Sequence, residues 1–242
     1  MPTATLADEK AADLGEIVIS ANRTPTEAAK IGSDVTVIGR DELEKSKETL
    51  VKDVLDRVIG VNFTQNGPAG TTTTIEMRGA YAGYVLVRID GIDVSDPSAS
   101  QVAAAFEHLA TADVERIEIL RGSQSALYGG TAVGGVIDIT TKKAEAGGVH
   151  HTATAEVGSY GTVAGTYGLS AATDKSEFNV SVSRYHTDGF SAADARNGNT
   201  EKDGYENTTF SANASHRIDD VFRVFGAMRY TRTDVQTDRF LS

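Results

Sequence analysis

The chain contains no cysteine among its 242 residues, so it has neither a disulfide framework nor a site where thiolates bind a metal. Its five histidines, His108, His150, His151, His186 and His216, follow no H-E-x-x-H or similar ligand spacing. Basic residues are also few, and the formal net charge is -11. Nucleic-acid binders neutralise phosphates with clustered Lys and Arg, and because no such cluster occurs we expect no nucleic-acid partner.

Long apolar runs are missing as well. No stretch of eighteen or so consecutive apolar residues occurs, so the sequence contains no candidate transmembrane helix, and any membrane insertion must use strands. The N-terminal MPTATLADEK lacks the basic and apolar regions of a secretory signal. We therefore expect that a signal has been removed or that the sequence is part of a longer chain.

The most informative stretch is residues 114–142, VERIEILRGSQSALYGGTAVGGVIDITTK. Two alternating runs bracket a segment with five glycines, which predicts two strands joined by a compact turn region. A hairpin without chemistry fits this pattern. A phosphate cradle does not, because the Gly-Lys-Ser/Thr ending of a P-loop and the G-x-G-x-x-G fingerprint are both missing.

The segments RIEILRG and SALYGGTAVGGVIDITTK resemble the end of the plug domain of TonB-dependent outer-membrane receptors, whose usual form is close to VERIEVLRGPxSxLYGxxAxGGVINIxTK. Ser123 stands where that family usually has Pro, and Asp138 where it usually has Asn. The order of a helix, VNFTQNG, IEMRG and VLVRIDG further resembles the plug of the family's vitamin B12 transporters. The resemblance implies a receptor in the outer membrane of a Gram-negative cell that binds and imports a scarce solute, such as cobalamin or a ferric siderophore.

Residues 30–143 are predicted to form an α+β plug, with a small mixed sheet and short helices, after a flexible segment at 1–29. The helix signals are DELEKS and the apolar spacing of residues 50–58, with Thr49 as N-cap and Gly60 as stop. Strands are predicted at 34–38, 61–65, 75–78, 85–90, 114–120 and 136–140.

Residues 147–242 change to strict alternation in about five strands of roughly ten residues, which is typical of a transmembrane antiparallel β-barrel. A soluble sandwich alternates too. The connection lengths favour the barrel, since a long connection at 187–203 and the short RIDD turn fall at opposite ends. The long connection and Ser159-Tyr160 are then expected outside the cell, with residues 173–174 and 219–220 on the periplasmic side. A plugged barrel has about 22 strands, so only its beginning is present.

The hexapeptide Glu16, Ile17, Val18, Ile19, Ser20 and Ala21 has two interpretations, a first plug strand or a TonB box. The TonB box is favoured, because its residue order and its place ahead of the plug resemble that motif. A short free extended segment can add itself to the sheet edge of the periplasmic energy-coupling protein TonB.

Solute contacts in this family come from outward-facing plug loops, and binding loops are commonly irregular segments held by strands. Two loops rich in Gly, Pro, Ser and Asp fit this description. The predicted substrate-binding residues are Gln65, Asn66, Gly67, Pro68, Ala69 and Gly70 in the first loop, and Asp93, Ser95, Asp96, Ser98 and Ser100 in the second.

Charged residues give two further hypotheses. Arg78 and Arg121 each precede a glycine at a strand end. The resemblance implies that they belong to a charge cluster between plug and barrel. Their glutamate partners would lie beyond residue 242, so both arginines are expected to be unpaired in this chain.

The outer loop contains four acidic residues that could supply oxygen ligands, Asp188, Asp194, Glu201 and Asp203. They form either a Ca²⁺ site or a solvated acidic loop. No other cofactor is expected.

Two other functions were weighed. One is a solute-binding β module, soluble or on the cell surface, that does not transport. Such a module would not need outer-membrane lipid as a partner, whereas the transporter would. The other is an enzyme, which is disfavoured because no nucleophile–base pair, carboxylate dyad or metal constellation stands out.

Overall fold

The computed structural model describes residues 17–18, 26–27, 30–98, 103–144, 147–191 and 202–236. Within these residues a plug of short strands and helices is followed by a five-stranded antiparallel sheet, so the predicted fold class is confirmed. Most of the segment predicted to be flexible, residues 1–29, lies outside the described residues. No helix in the described part of the chain is long and apolar enough to cross a membrane.

The plug elements precede residue 142. Its strands are β1 Ile17–Val18, β2 Thr26–Glu27, β3 Asp34–Ile38, β4 Val61–Gln65, β5 Thr73–Met77, β6 Val85–Ile89, β7 Ile92–Asp93, β8 Ser95–Asp96, β9 Ala103–Ala104, β10 Val114–Arg121 and β11 Gly135–Thr141. Its α-helices are α1 Arg40–Ser46, α2 Val51–Leu55 and α3 Ser125–Tyr128, and 3₁₀ turns lie at Ala82–Tyr84 and Phe106–His108.

The main plug sheet has the strand order β3-β10-β11-β6-β7. Strand β11 pairs antiparallel with β10 and parallel with β6, with Ile137 opposite Val87. Both faces of β10 and β11 are covered, which explains their nearly continuous apolar composition. The connection between these two strands is not a simple turn, because it contains α3, which ends at Gly129 with φ of +86°.

Helix α2 is shorter than the apolar spacing predicts. It buries Val51, Val54 and Leu55 in the core and ends in a tighter turn, where Val58 N donates to Leu55 O. Thr49 is not its N-cap. The N-cap is Leu50, which has no side-chain hydrogen bond, and Thr49 Oγ1 instead donates to Glu156 Oε2 of the following sheet at 3.3 Å.

The second sheet is a wall of five consecutive antiparallel strands. They are β12 Gly148–Val157, β13 Val163–Ala172, β14 Ser176–Thr187, β15 Tyr205–Arg217 and β16 Arg223–Val235. Each strand pairs with its sequence neighbour without a register shift. Among the described residues, the outer strands β12 and β16 each have one unpaired edge.

Alternation along the wall separates its two faces as predicted. Polar residues such as Asn179, Asn207 and Thr209 are buried on the face toward the plug. Apolar residues one position away, such as Val182 and Met228, are exposed on the other face. This arrangement, polar inside and apolar outside, is that of a barrel wall with a filled interior.

Candidate functional site

A crevice of about 430 Å³ separates the plug from the wall. On the wall side it ends at the connections after β12 and β14, the end where the chain is expected outside the cell. The crevice is lined by Lys47, Glu48, Thr49, Leu50, Lys52, Asp53, Gln65, Gly67, Pro68 and Ala69 from the plug and by Glu156, Gly158, Thr162, Tyr185 and Phe190 from the wall.

The first predicted solute loop lines this crevice with four of its six residues. It follows β4 and is closed by local hydrogen bonds, since Gln65 Nε2 donates to Pro68 O at 2.7 Å and Thr71 Oγ1 donates to the same oxygen at 2.8 Å. Gly70 ends the loop with φ of +86°, a conformation that favours glycine. The loop is therefore a tightly bonded segment beside the crevice, and its role in solute binding stays a prediction.

The chemistry of the crevice suits binding. Lys52 Nζ lies 2.5 Å from Asp53 Oδ1, and Arg57 forms an ion pair with Glu48, so most of the charges that line the crevice are partnered. Tyr185 and Phe190 add aromatic surface from the wall. Aromatic faces beside amide, hydroxyl and carboxylate groups bind a large solute through stacking and hydrogen bonds.

The described residues of the second predicted solute loop do not line the crevice. Asp93 Oδ1 accepts from Ser95 N at 2.9 Å, and Asp96 Oδ1 accepts from Ser98 N at 2.8 Å, so these aspartates close local turns. Ser100 lies outside the described residues. The role of this loop in binding stays a prediction.

Polar contacts join the plug to the wall, and several end on plug backbone carbonyls. Asn179 and Asn213 both donate to Lys142 O, at 2.8 and 3.0 Å, and Asn207 donates to His108 O at 3.2 Å. Burial lowers the pKa of His108, which favours a neutral imidazole. Sequence reasoning missed these residues, and their only signal was that asparagines fall on the inward positions of the alternating strands.

Arg78 and Arg121 are not unpaired, so this expectation was wrong. Both form ion pairs with Asp34 of β3, and Arg121 Nη1 lies 3.0 Å from Asp34 Oδ1. Arg121 Nη2 also donates to Thr36 Oγ1 at 2.8 Å. The partner was missed because β3 pairs with β10 across more than 80 residues of sequence. The implied contact with barrel glutamates stays a prediction.

The described part of the predicted TonB box is docked onto the plug. Ile17–Val18 pairs with Thr26–Glu27, and Val18 is fully buried beside Leu86, Leu120 and Val136. The expected extended conformation is present, but this part of the segment is not free. Glu16, Ile19, Ser20 and Ala21 lie outside the described residues, and the role of the hexapeptide stays a prediction.

The candidate calcium ligands are only partly described, since Asp194 and Glu201 lie outside the described residues. Asp188 Oδ2 accepts from Lys202 Nζ at 3.0 Å, and this hydrogen bond lowers the pKa of Asp188. Asp203 is buried. Within the described ranges, no group of three or more His, Cys, Asp or Glu is arranged to hold a metal. The calcium hypothesis therefore stays a prediction.

Comparison with known proteins agrees with this architecture. Residues 27–136 match the family model described as "TonB-dependent Receptor Plug Domain". Over 126 residues the chain is 37% identical to the vitamin B12 transporter BtuB of Vibrio cholerae, an alignment covering 52% of this chain and 20% of that relative. The matched stretch therefore spans about a fifth of the relative's length.

Solved structures support the fold. The pyoverdine outer-membrane receptor FpvA of Pseudomonas aeruginosa superposes with a TM-score of 0.74 at 14% identity, covering 94% of this chain and 31% of that one. The siderophore receptor PirA of Acinetobacter baumannii gives 0.64 at 21% identity, covering 83% and 32%. At these identities the likeness concerns the fold alone.

The fold and the family match together identify residues 27–136 as a plug domain of TonB-dependent receptors. The resemblance seen in the sequence is confirmed, and so is the plug followed by barrel strands. This family consists of receptors and transporters.

Proposed function

We propose that this chain is the plug and the first wall strands of an outer-membrane receptor that binds a large, scarce solute outside a Gram-negative cell and imports it. The observation that carries the proposal is the crevice, where the 65–70 loop of the plug faces Tyr185 and Phe190 of the wall. For solutes of the cobalamin or ferric siderophore type, this lining would provide part of the contact surface. The similarity to a vitamin B12 transporter and to siderophore receptors supports these two types of solute.

Outer-membrane lipid is the partner of the wall's outer face. Val182, Val224, Met228 and Tyr230 are exposed there and form an apolar surface that is unfavourable in water. Strands β12 and β16 need further strands to close the barrel, because unpaired backbone groups are costly in hydrocarbon. A soluble binding module would leave this apolar face without a partner, so we do not favour that alternative.

Energy for import enters through residues 16–21, which we assign as a TonB box. Its described part is already extended, as strand addition to a partner sheet requires. Pairing with TonB would require Val18 to leave its buried position beside Leu86 and Leu120. The function is transport, and we assign no catalytic residue.

Binding to the receptor with its complete barrel tests this function. Outer membranes carrying the receptor are incubated with radiolabelled cyanocobalamin and, separately, with iron-labelled catecholate and hydroxamate siderophores. We expect saturable binding of one probe class, and Glu156→Ala in the crevice should weaken it by about tenfold. Glu177→Ala is the matched control, because Glu177 also faces inward but lies outside the crevice lining. Saturable binding that neither variant alters would contradict the assigned site, and no saturable binding of any probe would contradict the function.

A further inference from the structure

Tyr205 is a wall residue that is buried against the plug. It is the first residue of β15, directly after the long connection, and only 1% of its surface is exposed. Among the described residues it is the largest fully buried side chain. Its burial results from contacts with Gly70 and His108 of the plug and with Tyr185 of the wall.

The tyrosine ring lies directly against the end of the first solute loop. A Cβ built on Gly70 would overlap ring atoms Cδ2, Cε2 and Cγ of Tyr205, so only glycine allows the loop to approach this closely. On another side the ring stacks on His108, with 5.9 Å between centroids and 15° between planes. The ring of Tyr185, which lines the crevice, lies 5.8 Å away.

The hydroxyl of Tyr205 fixes the ring in this position. It donates to Glu107 O at 3.1 Å and accepts from Asn207 Nδ2 at 2.9 Å. His108 Nδ1 lies 3.0 Å away, and in the imidazole tautomer that carries its proton on Nδ1 this nitrogen donates to the same hydroxyl oxygen. The hydroxyl thus makes three hydrogen bonds, and the two to Glu107 and His108 join the wall to the 3₁₀ turn of the plug.

The loop therefore has two sides. Gln65, Gly67, Pro68 and Ala69 line the crevice, while Gly70 rests on the ring behind them. We propose that Tyr205 is a positioning residue that sets the conformation of the solute loop: its ring supports Gly70, and its hydroxyl holds the ring. This role rests on the proposed function only where it predicts solute affinity.

Cysteine labelling tests the loop's conformation without any solute. The described chain has no cysteine, so Ala69→Cys places one thiol in the loop of a complete receptor that is otherwise cysteine-free. Tyr205→Leu should raise its rate of maleimide labelling by about tenfold, because loss of the ring frees the loop. Tyr205→Phe keeps the ring but loses the hydrogen bonds that hold it, so it should raise the rate by a smaller factor of about three.

Two controls separate positioning from general loosening of the plug. Ala132→Cys places a thiol in the second apolar cluster, where Ala132 is fully buried, and its labelling should stay slow in every Tyr205 variant. Gly70→Ala should raise Ala69→Cys labelling as Tyr205→Leu does, and combining both changes should add little, because they remove one shared contact. Unchanged labelling in Tyr205→Leu, equal acceleration at Ala132→Cys, or fully multiplicative effects would each overturn the proposal.

Affinity and uptake complete the test in membranes that bind one of the probes, cyanocobalamin or a ferric siderophore. We expect Tyr205→Leu to raise Kd and the KM of uptake together by about tenfold with an unchanged maximal rate, and Tyr205→Phe to raise both by only about threefold. A lowered maximal rate at unchanged KM would overturn the positioning role. If labelling responds as expected but no probe binds, the proposed function fails while the role of Tyr205 in the loop stands.

Discussion

Arg229 Nη1 lies 2.5 Å from Asp113 Oδ2, an ion pair that joins the last described wall strand to the start of plug strand β10. Both side chains are largely buried, so removal of one partner leaves an uncompensated charge. Together with the asparagine contacts to Lys142 O and His108 O, this pair makes the plug–wall interface polar. Separation of the plug from the wall at these contacts would therefore expose polar groups and an unpaired buried charge.

The Arg229–Asp113 pair is expected to hold the plug in place. Arg229→Ala should destabilise the docked plug by about 3 kcal/mol, because it leaves the buried Asp113 carboxylate without its ion-pair partner. Limited proteolysis of the plug in the detergent-solubilised complete receptor measures this as faster cleavage. Arg223→Ala is the control, since Arg223 lies on the same strand but pairs with Glu177 of the wall. Equal cleavage rates in the two variants would contradict the assignment.

The two halves of the chain should differ in solubility. Residues 30–143 contain the main apolar cluster of the plug, so this fragment should be soluble and unfold cooperatively on its own. Residues 147–242 have two unpaired strand edges and an exposed apolar face, and should aggregate or require detergent. Size-exclusion chromatography and urea unfolding check both. A soluble, monomeric, cooperatively unfolding 147–242 fragment would instead support the sandwich interpretation.

The two predicted solute loops can be separated by matched bulky substitutions. Ala69→Trp fills the crevice and should weaken solute binding by more than about tenfold, whereas Ser98→Trp, in the loop that does not line the crevice, should have less than about threefold effect. Equilibrium binding to the complete receptor measures both. A larger effect at Ser98 would move the main solute contact to the second loop.

Asp138 should make plug stability depend on pH. Its Oδ2 lies 3.4 Å from Arg88 Nη1, and Asp138 lies opposite Glu118 of the neighbouring strand β10. Burial raises the pKa of Asp138 to about 6; Arg88 and Arg116 oppose this rise, and Glu118 and Asp90 reinforce it. A carboxyl whose pKa is raised on folding stabilises the fold when protonated, so this contribution is present below about pH 4 and lost as pH rises through about 6.

The comparison with Asp138→Asn isolates this group from the other carboxylates. The asparagine side chain cannot ionise, so the free energy of unfolding of the variant minus that of the natural 30–143 fragment should rise by about 2 kcal/mol between pH 4 and pH 7.5. Urea unfolding across this range measures the difference. A constant difference would show that Asp138 does not titrate as described.

Sequence reasoning found the elements whose signal is local. The alternation of Phe178, Val180 and Val182 against Asn179, Ser181 and Ser183 predicted strand β14 and its inward face, because a period of two is visible within one segment. The longer plug strands β3, β4, β5, β6, β10 and β11 were also found, whereas the two-residue strands β2, β7, β8 and β9 were missed. Helix α3 was missed, since four residues among glycines carry too little periodicity to indicate a helix.

Long-range partners could not be predicted. Nothing around Asp34 indicates that it pairs with Arg121, and nothing around Gly70 indicates that a ring 135 positions later rests on it. Such contacts depend on strand order and on the docking of plug to wall, which one sequence does not encode locally. The burial of Val18 is of the same kind, because its partners Leu86 and Val136 lie on distant strands.

Energised uptake with an altered TonB box tests the central claim most directly. In the complete receptor Val18→Pro removes a backbone donor and fixes φ, so strand addition to TonB should fail. The change also removes the buried Val18 side chain from its place beside Leu86 and Leu120, so unchanged surface binding is needed to show that the crevice is intact. Cells are given whichever probe the receptor binds, and surface binding and energy-dependent uptake are measured separately. We predict binding within about twofold of the natural receptor and uptake reduced to background. Normal uptake by Val18→Pro would contradict the account.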